Sequence, residues 1–325
     1  MLSKKSSTNQ QIKLHVILSA LIMLIASAMI LFNFFTYQYE ASSYIAANGF
    51  IILFPGFLIY YFSKSIEETL PTLRFLLYGL WLMIIITFAI NIFTVAIQYT
   101  PFSLHDSELH QLDVLLGFNI MHFLDWTHRY PWLIKICRLA YSTVIVQLLA
   151  IPFILIFLQQ QRRFSVYVNV CMMASIVGYL IYYFYPSSTP AHIFTSPYFT
   201  EALYSVSQRF YDVQHHIPNT QIYAGIIGFP SFHTILAISA VYAVKNYKPV
   251  FWSLLIWNSI VLFSTVALGI HFLVDVIAGA VIVIAAIPIA EAFAFGKDYS
   301  LREMLENYKR DFQEIRNTSE SEASN

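Results

Sequence analysis

The sequence predicts an all-α fold, a polytopic membrane helix bundle of about eight transmembrane helices. Three observations predict it. Hydrophobic residues make up 58% of the 325 residues and charged residues only 11%, against roughly 45–50% and roughly 25% in soluble domains. Eight apolar segments each approach or exceed the length of about 20 residues that a helix needs to cross a hydrocarbon core of about 30 Å. The few cations are also distributed unevenly around those segments. An ordinary soluble domain is excluded. The 18 basic and 18 acidic residues cancel, so no charge excess points to nucleic acid as a partner.

In chain order the expected spans are 14–35, 44–62, 75–98, 132–158, 166–186, 231–247, 250–270 and 272–295. Lys4, Lys5 and Lys13 precede the first, as they would in a signal peptide. It is too long for a signal h-region and lacks a small-residue cleavage site, so it reads as a signal anchor. With the N-terminus cytoplasmic, fourteen Lys and Arg residues fall on the inner side. Only Arg129, Lys135, Arg138 and Arg209 fall outside. This is the positive-inside arrangement, and removing one span would invert everything after it.

The remaining segments have distinct characters. Cys137 and Cys171 lie within expected helices, too isolated for a disulfide framework or a zinc site, and read as packing residues. In the outer loop 99–131, Leu109, Leu112, Leu115 and Leu116 alternate with Asp106, Glu108 and Asp113, which suits a short helix on the membrane. The outer loop 187–230 contains Pro190, Pro197, Pro218 and Gly228, and ordered loops of that length usually have a function. After residue 296, Leu301, Leu305, Tyr308, Phe312 and Ile315 recur at helical spacing among charges, as in an amphipathic helix on the inner face. A polar tail follows, expected to be disordered. Its sequon Asn317-Thr318-Ser319 lies on the cytoplasmic side, where glycosylation is not expected.

The chemistry concentrates where two spans begin. Gly228-Phe229-Pro230-Ser231-Phe232-His233-Thr234 opens the sixth span, and Ser264 through Asp275 joins the seventh to the eighth. Both histidines start helices at the outer interface. His271 and Asp275 are four apart and share a helix face, so the carboxylate reaches the ring. Asp275 is also the only acid in an uncharged stretch from 249 to 290, and an ionisable group at such depth marks a functional site. The arrangement suits nucleophilic catalysis on phosphorus. A neutral imidazole attacks while a carboxylate on its other nitrogen fixes the tautomer. A second, protonated histidine serves the leaving oxygen. Backbone N–H groups at the start of the sixth span, with the Ser231 hydroxyl, suit phosphoryl oxygens, and Pro230 fits the first helical turn.

These residues resemble a known family. Pro230-Ser231-Phe232-His233 is similar to the second signature, Pro-Ser-x-His, of the type 2 phosphatidic acid phosphatase superfamily. Ser264 through Asp275 is similar to its third, Ser-Arg-x5-His-x3-Asp. The wider context, Gly-Phe-Pro-Ser-Phe-His-Thr and Leu-Gly-Ile-His-Phe-Leu-Val-Asp, most resembles the divergent branch of inositol phosphorylceramide synthases (inositolphosphotransferases) and their bacterial relatives. The resemblance spans roughly 75–296. It implies a catalytic core of six helices over 75–296, an N-terminal addition of two helices over 1–74, and a cytoplasmic segment over 297–325. It places the active site at the outer face of what would be a bacterial inner membrane, with both termini cytoplasmic. It gives His271 the nucleophile role through a phosphohistidine, Asp275 the orienting role, His233 the proton donor role, and Ser231 a hold on phosphoryl oxygens. It implies no metal and no cofactor.

Two departures stand out. Thr265 occupies the arginine position of the third signature, and Tyr185-Pro186-Ser187-Ser188-Thr189-Pro190 stands where the first signature, Lys-x6-Arg-Pro, would be. Losing charged donors from a phosphoryl-transfer site costs several kcal/mol unless they are replaced. Arg209, and Lys135 with Arg138 on one face of the fourth span, are the candidate replacements, with lipid-headgroup contacts as their alternative role. His215 and His216 are candidates for substrate contact or for simple exposure. His122, Asp125 and His128 are three apart but offer no established ligand geometry, and no metal is assigned to them. The expected function is therefore a lipid phosphatase or phosphotransferase acting on a phospholipid or polyprenyl (di)phosphate, with membrane lipids as surroundings. The competing expectation is a lipid transporter or lipid-binding protein that kept the fold and lost catalysis. The complete histidine–aspartate set argues against that alternative.

Overall fold

The computed structural model describes residues 2–38, 53–66, 70–217 and 227–295. Among them the structure is entirely helical, with a single 3-10 turn at Pro190–His192. Helix α1 is Leu2–Tyr37, α2 Leu53–Ser65, α3 Pro71–Gln98, α4 Asp106–Leu115, α5 Ile120–His128 and α6 Pro131–Phe157. Helix α7 is Gln161–Phe184, α8 Glu201–Gln214, α9 Phe232–Ala243, α10 Lys248–Ala267 and α11 Leu273–Phe295. Prolines open α3, α6 and α10, where the first-turn N–H has no intrahelical acceptor to lose.

Six of these helices are long and apolar enough to cross a membrane: Leu14–Tyr37, Pro71–Gln98, Pro131–Phe157, Gln161–Phe184, Lys248–Ala267 and Leu273–Ala294. They match six of the eight expected spans. The second expected span, 44–62, is helical from Leu53, and its first residues lie outside those described. The sixth, expected over 231–247, is corrected to the 12 residues of α9. Such a helix rises about 18 Å, too little to span alone. Helix α9 tolerates this because it packs against α6, α7, α10 and α11, which shield its ends from lipid. The expected amphipathic segment after 296 lies outside the described residues.

The loop 99–131 forms two helices, α4 and α5. Leu109 is fully buried and Leu112, Leu115 and Leu116 are exposed. Leu109, Ile120 and Leu124 pack with Phe199, Leu203, Phe272 and Val274 into a core of their own over the start of α11. The larger core joins α1, α3 and α7 through residues such as Ile22, Leu82, Phe93, Met172 and Tyr182. Cys137 and Cys171 are buried and free, as expected of packing residues.

Polar contacts dock α1 onto this core at both ends. His15 bonds the Tyr78 hydroxyl at 2.8 Å and the Ser165 hydroxyl at 3.1 Å. Asn33 accepts a hydrogen bond from the Tyr183 hydroxyl at 2.7 Å. In a lipid-surrounded bundle such bonds add association that apolar packing alone does not supply.

Helix α11 lies close against the start of α9. A Cβ at Gly279 would lie 2.5 Å from the Ser231 carbonyl oxygen and 3.1 Å from Thr234 Cβ. Any side chain there pushes the two helix starts apart. Gly279→Ala is expected to destabilise the protein by about 1–3 kcal/mol, the usual range for overpacking. Thermal unfolding in detergent should show a lowered midpoint, and an unchanged midpoint would mean that the approach is looser than described.

Candidate active site

The end of α10 determines how the first histidine is presented. Gly269 adopts φ +69°, a left-handed conformation that glycine takes without the Cβ penalty. The chain then folds back, and the Thr265 carbonyl accepts the N–H groups of Ile270 at 3.0 Å and His271 at 3.1 Å. This leaves His271 on the turn into α11, with Asp275 in that helix's first turn. His271 Nδ1 lies 3.2 Å from Asp275 Oδ2, and the same oxygen accepts the Phe272 N–H at 2.9 Å. The expected i, i+4 pairing is formed.

His233, in the first turn of α9, faces this pair. The rings of His233 and His271 are 5.7 Å apart between centroids, at an interplanar angle of 63°. The Ser231 N–H donates to the Asp275 carbonyl at 3.0 Å, tying the two helix starts together. His271 and Asp275 are each only 1% exposed. Among the described residues, His271 Nε2 and Asp275 Oδ1 have no hydrogen-bond partner. One ring nitrogen is thus held by a carboxylate, and the other has no side-chain partner among the described residues.

The site is recessed. Tyr141 stacks on His233 with centroids 4.3 Å apart. Tyr141 is ten residues into α6, so this contact lies about 15 Å below that helix's start. Sequence reasoning missed Tyr141, because an aromatic residue within an apolar helix carries no local signal of function.

Sequence reasoning also missed two acids. Asp113 accepts the N–H groups of Leu273 and Val274, both at 2.9 Å, and so caps α11 from 160 residues away. Asp106 accepts the Ser188 N–H at 2.8 Å on Oδ1 and the Ser188 hydroxyl at 2.9 Å on Oδ2, and His192 Nδ1 lies 3.2 Å from that same Oδ2. Both acids are buried, and burial raises both carboxyls above the usual range. Their hydrogen bonds oppose that rise. The only sequence hint was that they sit seven residues apart, on one face of a short helix.

The candidate substrate-binding residues are distributed differently. Ser231 is fully buried and its hydroxyl caps α9, accepting the Thr234 N–H at 3.4 Å. Pro230 precedes that cap, joined to Phe229 by a cis bond, instead of sitting in the first turn. Arg209 donates to Gln98 Oε1 at 2.6 Å and lines a cleft with Tyr182, Ser188 and Phe210. Lys135 and Arg138 are exposed, beside the α6 face that buries Ile134, Cys137 and Ala140. Thr265 is fully buried and bonds its own helix at Leu262. It therefore substitutes for none of the arginine's donors.

The other histidines lie elsewhere. His215 stacks on Tyr211 and bonds its carbonyl. His128 stacks on Tyr198, and burial, then the Arg138 charge, hold its imidazole below the usual range. Among the described residues no three His, Cys, Asp or Glu side chains gather as metal ligands.

Residues 107–289 match the model of the PAP2 superfamily. The chain belongs to that superfamily. The match covers more than half of this PAP2 chain and includes both histidines and Asp275. It begins in α4, later than the expected boundary at 75. No curated protein and no solved structure matches the chain. Membership and the apolar helices together support a membrane phosphatase-type function.

Burial pushes the His271 imidazole down to about 4, with the Gly228 backbone pulling the other way. The neutral form therefore persists far below neutrality. Because the folded value is depressed, the unfolded chain takes up a proton near pH 6.5 that the folded chain refuses until about pH 4. This group's contribution to stability therefore falls as pH drops through that window. At pH 6 about 1 in 100 His271 rings should be charged, against about 3 in 4 for an ordinary histidine. Histidine-labelled NMR of the detergent-solubilised protein should show a His271 midpoint near pH 4. A midpoint near 6.5 would contradict this.

Proposed function

We propose that this PAP2 protein is an integral-membrane lipid phosphatase or phosphotransferase that works through a phosphohistidine at His271, at the outer membrane face. One observation carries the reading. Among the described residues the Nε2 of His271 is buried without a hydrogen-bond partner, its Nδ1 is held by Asp275, and His233 stands against the same ring. A pocket that only binds lipid has no use for that combination.

The first step forms a bond from His271 Nε2 to phosphorus and breaks the bond from phosphorus to the lipid oxygen. The departing alkoxide takes a proton from His233. Asp275 balances the positive charge that grows on the His271 ring as its lone pair is used. In the second step a hydroxyl gives its proton to His233 and its oxygen bonds to phosphorus. The phosphorus–nitrogen bond breaks and neutral His271 is restored. Water in this step releases a phosphate, whereas a lipid or polyol hydroxyl yields a new phosphodiester or phosphomonoester.

The substrate is a phospholipid or a polyprenyl (di)phosphate. Kinship of the motifs with the inositol phosphorylceramide synthase branch favours transfer over hydrolysis, but fold kinship alone does not establish an activity. Arg209, Lys135 and Arg138 are the cations we assign to the phosphate or to neighbouring headgroups. The catalytically silent lipid transporter or binding protein is the second reading, favoured by the buried Thr265 in the arginine position.

The test uses purified protein with phosphatidic acid, phosphatidylinositol and a polyprenyl diphosphate. His271→Ala and His233→Ala should each lose at least about 100-fold in turnover, the scale of a lost nucleophile or proton donor. Asp275→Asn should lose turnover with little change in KM. Adding diacylglycerol, ceramide or inositol decides between the two second steps, because label appears in a new product or in free phosphate. Wild-type turnover in His271→Ala would exclude the mechanism.

A further inference from the structure

We propose that α4 is a two-armed bracket that positions the two catalytic histidines separately, through Asp113 and Asp106. The inference rests on the roles proposed above for His271 and His233. Asp106 and Asp113 are seven residues apart, close to two helical turns, so both carboxylates project from one face of α4. They do not meet the same structure. Asp113 holds the N–H groups of Leu273 and Val274, the first residues of α11, between His271 and Asp275 in sequence. Asp106 holds Ser188 by its N–H and its hydroxyl.

Ser188 belongs to the strap that stands in place of the first signature. Its neighbour Ser187 accepts the Gly228 N–H at 3.2 Å on its carbonyl and the Phe229 N–H at 2.5 Å on its hydroxyl. Gly228 and Phe229 lead through Pro230 into the Ser231 cap and His233. One arm thus ends on the nucleophile and its carboxylate, and the other on the proton donor.

Burying a carboxylate is costly unless every oxygen is bonded. Each of these acids has two close donors, at 2.8 and 2.9 Å for Asp106 and at 2.9 and 2.9 Å for Asp113. Asp113 also places its negative charge at the positive end of α11. The strap without its cations is therefore built as a positioning element, and α4 is what fixes it. Glu108 and His110 on the same helix, with Tyr182, His192 and Asp275, are the titratable groups that face the two acids among the described residues.

A leaving-group comparison separates the arms. A nitrophenolate leaves without a proton, so the first step on such an ester, read as the pre-steady-state burst of released alcohol or nitrophenolate instead of steady-state turnover, needs His271 but not His233. The probes are whichever of phosphatidic acid, phosphatidylinositol and polyprenyl diphosphate turns over fastest, and a 4-nitrophenyl ester of the same phosphoryl group (4-nitrophenyl phosphate for phosphatidic acid). In this burst rate His271→Ala should lose at least about 100-fold on both esters and His233→Ala on the lipid only, while the second step, which uses His233 with either ester, limits steady-state turnover in His233→Ala. Asp113→Ala should follow His271→Ala, losing about tenfold or more on both with KM within about threefold. Asp106→Ala should follow His233→Ala, losing about tenfold on the lipid and less than about threefold on the nitrophenyl ester.

Rescue by asparagine should differ as well. At 106 an amide accepts from the Ser188 N–H and donates to its hydroxyl, so Asp106→Asn restores turnover. At 113 both partners are N–H donors, and an amide nitrogen accepts neither. Where Asp113→Ala does not fold, judged by its thermal midpoint, Asp113→Asn carries the same comparison; where Asp106→Ala does not, Ser187→Ala, which removes the acceptor of the Phe229 N–H on the same arm, stands in for it. Equal losses on both esters for Asp106 and Asp113 variants, or wild-type rates in both, would overturn the bracket. A His233→Ala variant whose burst rate falls equally on both esters would instead overturn the roles on which it rests.

Discussion

The site depends on how one buried carboxylate is accommodated. Asp275 lies in the first turn of a helix that reads as a membrane span, where an unpaired charge is expensive. One of its oxygens meets both the His271 ring and the Phe272 N–H, and its carbonyl receives the Ser231 N–H. Three elements therefore converge on one residue: the turn after α10, the start of α11 and the start of α9. Gly279, one turn further along, permits the approach by having no side chain. Moving Asp275 would move both histidines relative to each other.

The recessed position of the site follows from the short α9. A full-length helix would have carried His233 to the level of its neighbours' ends. The 12-residue α9 instead leaves it against Tyr141, in the body of α6. The space above is covered by α4, α5 and the strap, which share a hydrophobic core with Phe272 and Val274. Such cover limits water and strengthens every charge interaction beneath it. It also makes the scarcity of cations consequential. Lys135 and Arg138 are exposed beside the buried face of α6, and Thr265 is used internally. Charge on a phosphoryl group would then be met chiefly by backbone N–H groups at the start of α9, His233 and an approaching Arg209.

Local sequence carried much of this. The six long apolar helices were legible because bilayer thickness imposes a length that composition reveals directly. The His271–Asp275 pair was legible because four residues is a helical repeat, and His233 because its motif opens an apolar run. What sequence hid depends on distant partners. Asp106 and Asp113 looked like the solvent side of a surface helix, yet their partners are 82 and 160 residues away. His15 stands within the first apolar segment with no local motif around it, yet it bridges α1 to α3 and α7. The cap that Ser231 makes on α9 was not foreseen either; it stands beside the expected hold on phosphoryl oxygens, because a serine before a helix serves either purpose. The length of α9 was overestimated because its apolar pattern runs on past Ala243, where the chain turns.

The central claim is that His271 Nε2 becomes covalently attached to phosphorus. The most direct measurement is rapid acid-free quenching of the wild-type protein with a phosphorus-labelled lipid, followed by peptide mass spectrometry. The account predicts one acid-labile, base-stable phosphorylated peptide containing His271, absent from His271→Ala and accumulating in His233→Asn when the leaving group needs no proton. Turnover of the lipid with no labelled His271 peptide, or with label on another side chain, would contradict it.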